Sequence, residues 1–318
     1  MSEHLTSPVR NAPYGGRQTI RREMFFIGLL CLAAIAAVVV SMLSVGIYRS
    51  GLSTAHERIA GANRQISAYV EAHLEGLAAA LRIIAASPDV IHGDTGGEEA
   101  RERARTYFRF VEMSNPNVKY CYAGYANGEL LINDYVPPEG YDPRTRPWYD
   151  AAVKVWPEMN IGQPYRDAFD QEWLVAVSSA FSDETGLRGV VSVDSTLSRM
   201  DGLLNSIKSF NSQSNFVINS AGMLLVHNEK NVYINQNMDS IVPGALKLFT
   251  GDAGHITYDL PESGIRMAYF TRLKINDWII ISAVDQSEIM APIWRRITLT
   301  VSATALVTLF LGLLQLKV

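Results

Sequence analysis

Tyr141-Asp-Pro-Arg-Thr-Arg-Pro-Trp-Tyr149 is followed by Tyr165-x-Asp167, and then by Asp194 at the end of the apolar run Gly189 to Val193. Within this stretch Arg146 supplies a cationic group and Asp167 and Asp194 two carboxylates, set among aromatic side chains, while Arg144 reads as a solvated or structural charge. A guanidinium offers planar donors that grip a carboxylate in a bidentate fork, and carboxylates accept hydrogen bonds from an ammonium. The combination suits a small molecule that carries both charges. Taken singly, the same residues have plainer uses. An Asp after a strand shapes a turn or caps a helix, as Asp194-Ser-Thr196 suggests, and Trp148 and Tyr149 are ordinary core residues beside a turn fixed by Pro147.

Upstream of this stretch lies a membrane-spanning signal. Met24 to Tyr48 has no charged side chain and, at about 1.5 Å per residue, is long enough to cross a hydrocarbon core of about 30 Å. A secretory h-region, about 7–15 residues, is shorter. Arg17, Arg21 and Arg22 stand just before the run, which by the positive-inside rule keeps the N-terminus cytoplasmic and sends the following segment outward. A second apolar run, Ile297 to Leu316 with Trp294 at its outer edge, brings the chain back, although Arg295 and Arg296 then fall on the outer side. Residues 1–23, rich in Ser, Pro, Gly and Arg, read as a disordered cytoplasmic tail.

Between the spans, Ile59, Ile66, Val70, Leu74, Leu77, Leu81 and Ile84 recur at helical spacing, predicting a stalk helix that packs on its own domain, forms a homodimer seam, or does both. Beyond Gly93 the texture becomes β-rich. Val118 to Tyr125, Asn127-Gly128 and Glu129 to Tyr135 predict a hairpin, with further strands at Trp173 to Ser182 and Gly189 to Val193. A helical linker around Ser195 to Ser209 leads to a second strand-turn-strand, Asn215 to His227, and to strands at Gly254 to Tyr258, Arg266 to Thr271 and Trp278 to Val284. The expected fold is α+β: a long stalk helix and two tandem modules, flanked by two transmembrane helices. The expected bounds are tail 1–23, first span 24–48, stalk 49–90, distal module 91–200, proximal module 201–294 and second span 295–318.

The ordered series Tyr141, Arg146-x-Trp148-Tyr149, Tyr165-x-Asp167 and Asp194 resembles the double Cache sensor domains of bacterial transmembrane receptors, in particular their amino-acid-binding class. Ser220-Ala-Gly-Met-Leu-Leu-Val-His227 and Asn276-Asp-Trp-Ile-Ile-Ile281 resemble the second, membrane-proximal Cache module. The resemblance implies two PAS-like modules. It also implies that Tyr141, Arg146 and Trp148 bind a ligand's α-carboxylate, while Tyr149, Tyr165, Asp167 and Asp194 surround its α-ammonium. It further implies an L-amino acid as ligand, a homodimer, a place in the bacterial inner membrane with the sensor outside, and a cytoplasmic signalling region or partner absent from this chain, which ends at Gln315-Leu-Lys-Val318. Sensing another small amine or carboxylate, or periplasmic processing of an amino acid, are the alternatives.

The sequence also argues against other classes. A length of 318 residues, 48% hydrophobic content and a net charge of −4, with scattered Lys and Arg, do not mark a nucleic-acid binder. The two cysteines cannot form a disulfide across the membrane, and neither Cys121 nor His227 has a second Cys or His at ligand spacing, so no metal or cofactor is expected. No GxSxG, HExxH or P-loop pattern occurs, which argues against an enzyme.

Overall fold

The computed structural model describes residues 16–116, 118–227, 234–260 and 264–315. The chain divides into two compact units, residues 1–55 with 289–318, and residues 56–288. Helix α1 runs from Gly16 to Ala85. It starts earlier than the expected tail boundary at residue 23, because the last proline of the tail, Pro13, lies before it. The rest of that tail, residues 1–15, lies outside the described residues. Helix α1 ends five residues before the expected stalk boundary at 90: Ser87, which precedes Pro88, is extended at φ −74° and ψ 123°. Pro88 then opens the short helix α2, Pro88–Ile91.

In the first unit, α1 and the terminal helix α7, Gln286–Gln315, each contain a stretch long and apolar enough to cross a membrane, with mean hydropathy 2.8 and 2.1. The stretches pair antiparallel. The Tyr48 and Trp294 rings are 6.4 Å apart. A Cβ built on Gly51 would lie 2.7 Å from the Ile293 side chain, and one on Gly312 2.9 Å from that of Leu29, so glycine sets the close approach near both ends.

The second unit contains two antiparallel sheets. The distal one follows α3, Gly97–Ser114, an amphipathic helix whose Ala100, Ala104, Phe108 and Val111 face inward. The β-rich reading beyond Gly93 missed this helix, since its buried face is half alanine among many charges. The strands are β1 Val118–Tyr125, β2 Leu130–Ile132, β3 Asn160–Ile161, β4 Tyr165–Arg166, β5 Trp173–Asp183 and β6 Gly186–Thr196, ordered β2-β1-β6-β5-β3, with β4 also pairing β5. Helix α4, Pro147–Val155, has Pro147 in its first turn. Helix α5, Leu197–Ser206, has Thr196 as its N-cap. Asp194 is therefore not a helix cap but a strand residue, and β6 runs past the expected end at Val193.

The proximal sheet comprises β7 Ser214–Ile218, β8 Leu224–His227, β9 Ala253–Leu260, β10 Gly264–Arg272 and β11 Ile279–Asp285, ordered β8-β7-β11-β10-β9, with the short helix α6 at Met238–Ile241.

All seven predicted stalk residues, from Ile59 to Ile84, are buried at 0–1% exposure. They pack in the chain's own core, so a homodimer seam through that stripe is not what they form. Leu77, Leu81 and Ile84 pack with Phe108 of α3 and with Cys121, Val177, Val191 and Val193 of the distal sheet. Ile66, Val70 and Leu74 join Leu197 and Leu204 of α5 to Val217, Leu225 and Ile280 of the proximal sheet. This shared core, with α5 in it, links the two modules.

Candidate functional site

The face of the distal sheet away from α1 carries the site. Antiparallel register places Tyr120 beside Asp194 and Tyr122 beside Ser192 on β1 and β6, and Ala176 beside Asp194 on β5. The small side chains of Ala176 and Ala180 make room for α4, whose Trp148, Tyr149 and Ala152 pack on them. The Ser178 hydroxyl donates to the Trp148 carbonyl at 3.0 Å, fixing the start of that helix. Gly124 allows the same approach from β1, since a Cβ there would come 2.8 Å from both Pro143 and the Trp148 ring.

Tyr141, Arg146, Trp148, Tyr165, Asp167 and Asp194 line one cavity, open to solvent on one side, together with Tyr120, Tyr122, Tyr135, Leu130, Ile132, Ala168 and Leu174. Tyr149 is absent from that wall. Its ring packs edge-on behind Trp148 at 5.6 Å, because successive residues of α4 point about 100° apart.

Asp194 is 1% exposed. Its Oδ2 accepts from the Tyr165 hydroxyl at 2.5 Å and the Tyr122 hydroxyl at 2.8 Å, and its Oδ1 from Ser192 at 3.2 Å. Burial raises its carboxyl to about 7, partly offset by the hydrogen bonds from Tyr165, Tyr122 and Ser192. Burial likewise pushes the Tyr122 and Tyr165 hydroxyls well above their ordinary range, so both stay protonated and able to donate.

Arg146, the residue before α4, has its guanidinium 5.5 Å from the Tyr141 ring centroid. Its Nη2 reaches only the Arg166 carbonyl, at 3.4 Å, and its Nε is buried with no partner. No carboxylate among the described residues pairs with it, which leaves a planar cation aimed into the cavity wall without an anion. By contrast, neighbouring Arg144 is held by Asp142 at 2.8 Å and stands outside the cavity, as expected of a structural charge.

Residues 49–293 match the Cache domain family, dCache_1. The chain belongs to the Cache domain family. Its relatives are receptors rather than enzymes. The methyl-accepting chemotaxis protein McpA of Pseudomonas putida is 28% identical over 205 residues, 64% of this chain and 32% of McpA. McpB of Bacillus subtilis is 26% identical over 199 residues, 61% of this chain and 28% of McpB. This Cache chain therefore spans under a third of the length of either receptor. Among solved structures, the ligand-binding domain of the Pseudomonas aeruginosa amino acid chemoreceptor PctB in complex with L-Arg superposes at TM-score 0.64 and 19% identity, covering 77% of this chain and 96% of that one. The ligand-binding domain of PctC in complex with GABA gives 0.57 and 24%, covering 70% and 96%. The shared fold is two sheet modules on a long helix.

Within this Cache domain, reading the sequence missed two polar residues. Tyr122 supplies one of the Asp194 hydrogen bonds. Lys119 binds Asp170 at 2.6 Å, Glu172 at 2.9 Å and Asp167 at 3.1 Å. Burial works to lower the Lys119 ammonium, but those three carboxylates outweigh it and raise it well above its ordinary range. Asp167 thus reaches the cavity already paired with a cation, and it also accepts from the Phe169 amide at 3.1 Å. A register shift between Val118 and Tyr120 hides Lys119 from simple alternation: the bulge puts Val118 in the core under α1 and turns both Lys119 and Tyr120 toward the cavity side.

Proposed function

We propose that this Cache domain is the extracytoplasmic sensor of a transmembrane receptor in the bacterial inner membrane. It binds a free L-amino acid in the distal module through the α-carboxylate and α-ammonium together. The observation that carries this reading is a guanidinium, Arg146, with no carboxylate partner among the described residues, sharing one cavity with a buried carboxyl, Asp194, ringed by hydroxyl donors. The ligand's carboxylate would take Arg146, with Tyr141 and Trp148 beside it, and its ammonium would take Asp194, with Tyr165 and Asp167 near. Tyr149 would act only by backing Trp148. In the proximal module the buried cation Arg266 is instead occupied by Asp285 at 2.9 Å, the Ser214 hydroxyl at 2.7 Å and two carbonyls. That module is read as a transmitter. Titrating the twenty amino acids into the protein while following thermal unfolding tests the reading: at least one should raise the midpoint, and none should be consumed.

The route to the output helix is covalently short. Asp194 stands two residues before Thr196, the N-cap of α5. The far end of α5 is held by Asn215, whose Nδ2 donates to the Leu204 carbonyl at 2.7 Å and the Ile207 carbonyl at 3.0 Å. The next loop donates three hydrogen bonds to Glu288 in the first turn of α7: the Asn211 and Ser212 amides at 2.9 Å each and the Ser212 hydroxyl at 2.6 Å. Burial opposes ionisation of Glu288, but these donors hold its carboxyl below the ordinary range, so the latch is an anion at neutral pH. Ligand shifts α7 only through its differential affinity for two arrangements of this chain of contacts. Glu288→Ala should leave amino-acid affinity within about threefold, yet abolish the ligand-induced change in amide exchange over residues 286–292. An unaltered change in the variant would remove Glu288 from the route.

The antiparallel apolar stretches of α1 and α7 support two membrane spans, with residues 50–294 outside and both flanking ends cytoplasmic. A phosphatase reporter, active only outside, should work when fused near Gly251 and fail at Val318; the reverse would overturn the orientation. A homodimer would use faces other than the buried stalk stripe, and Ile83 of α1 with Phe110 and Met113 of α3 are exposed apolar side chains available for it. Cytoplasmic signalling would come from a further region or a partner.

A further inference from the structure

The charges at the cavity leave little for a charged ligand side chain. Arg146 and Asp194 are assigned to the two ends of the amino-acid head group, and the inference rests on that reading. The remaining carboxylate, Asp167, is ion-paired with Lys119. Lys119 in turn faces Asp170 and Glu172 as well, so it offers no free cation. An acidic side chain would meet a lysine outnumbered by three carboxylates, and a basic one would have to displace Lys119 from Asp167, the one of the three on the cavity wall. Either would lose hydration without gaining a free partner.

The rest of the wall is uncharged: aromatic rings, five of them tyrosines, and the aliphatic side chains of Leu130, Ile132, Ala168 and Leu174. Leu130 and Ile132 stand two apart on β2, the edge strand of the distal sheet, so they point to one face while Leu131 between them enters the opposite core. Ile132 pairs with Tyr122, the residue whose hydroxyl binds Asp194. Both Leu130 and Ile132 are only half-buried, packed against the Trp148 cluster on one side and open to the cavity on the other. Leu174 and Ala168 extend the same surface. The volume enclosed among these side chains is small, about 20 Å³, so a bulky ligand side chain could enter only by displacing the wall.

We propose that Leu130 and Ile132 of β2 form an apolar ledge that receives the ligand's side chain, and that the site therefore selects amino acids with small, uncharged aliphatic side chains.

The test is calorimetry on the full chain in nanodiscs with alanine, valine, leucine, aspartate, glutamate, lysine and arginine. Affinity should rise about fourfold for each methylene the ledge covers between alanine and valine, the equivalent of about 0.8 kcal/mol. The four charged amino acids should bind at least about a hundredfold more weakly than valine. Ile132→Ala and Leu130→Ala should each weaken valine about tenfold and alanine less than about threefold. The conservative Ile132→Val should stay near wild type, which controls for a folding defect in the edge strand. Charged amino acids binding as tightly as valine, or Ile132→Ala and Leu130→Ala leaving valine unaffected, would overturn the ledge while leaving the amino-acid sensor standing. Binding of none of the seven would instead overturn the sensor reading and the ledge with it.

Discussion

Replacing Arg146 by alanine is expected to weaken amino-acid binding by at least about a hundredfold without destabilising the empty domain. The first half follows from the energy of the contact. A charge-assisted hydrogen bond contributes about 1.5–3 kcal/mol, and leaving the partner charge buried and unpaired costs about 3–5 kcal/mol. At about 1.4 kcal/mol per decade, either figure alone gives roughly tenfold to a thousandfold or more. The second half follows from the empty site, where the Arg146 Nε is buried without a partner and its Nη2 makes one long contact at 3.4 Å. Removing the side chain deletes an unsatisfied donor, so the thermal midpoint of the variant should equal or exceed that of the wild type. Arg146→Lys keeps the charge but loses the planar fork and should recover only part of the affinity. Isothermal titration alongside thermal unfolding reads both effects. A variant that unfolds early, or that binds normally, would show that Arg146 serves the fold.

Asp194 carries the second large effect, with a distinctive pH dependence. In the empty cavity its carboxyl sits at about 7, so near neutrality it is only about half ionised. Receiving an ammonium requires the carboxylate, so binding expels a proton at acid pH. Affinity should then fall about tenfold per pH unit below about 7 and level off above it. At pH 6 close to one proton should be released per ligand, measurable by titration in buffers of different ionisation enthalpy. The same shift has a stability consequence. A carboxyl whose folded value lies above its ordinary 3.8 favours the folded state when protonated, so this contribution is lost as pH rises from about 4 to about 7. At about 1.36 kcal/mol per unit the loss is about 4 kcal/mol. Asp194→Asn should therefore stabilise the empty domain at pH 8, reduce affinity at least about a hundredfold, and abolish proton release. An unchanged pH profile in the variant would place the titrating group elsewhere.

Much of this architecture was legible in the sequence. The stalk periodicity named seven residues that are all buried, since a helix packed along one side imposes a spacing that side chains must obey. The strands of both sheets were visible wherever β-branched and aromatic runs ended in turn residues, as in Trp173 to Ser182. The charged α3 was not visible, because half its buried face is alanine, which carries no pattern against a charged background. At the site, the ordered series brought six of seven named residues around one cavity. Tyr149 fell behind Trp148, since adjacent helix residues cannot both face the same wall. Tyr122 was hidden because its use depends on strand register, which pairs it with Ser192, two residues from Asp194. Lys119 was hidden by a bulge. Local composition has no access to either.

The central claim is that one cavity in the distal module grips both ends of an amino acid. A crystal structure of the ectodomain, residues 50–294, with a ligand chosen by thermal-shift screening tests it most directly. The account predicts the α-carboxylate in a bidentate pair with Arg146 and the α-ammonium within hydrogen-bonding distance of Asp194, with the Lys119–Asp167 pair intact. Ligand bound only in the proximal module, or a distal ligand held by neither Arg146 nor Asp194, would contradict it.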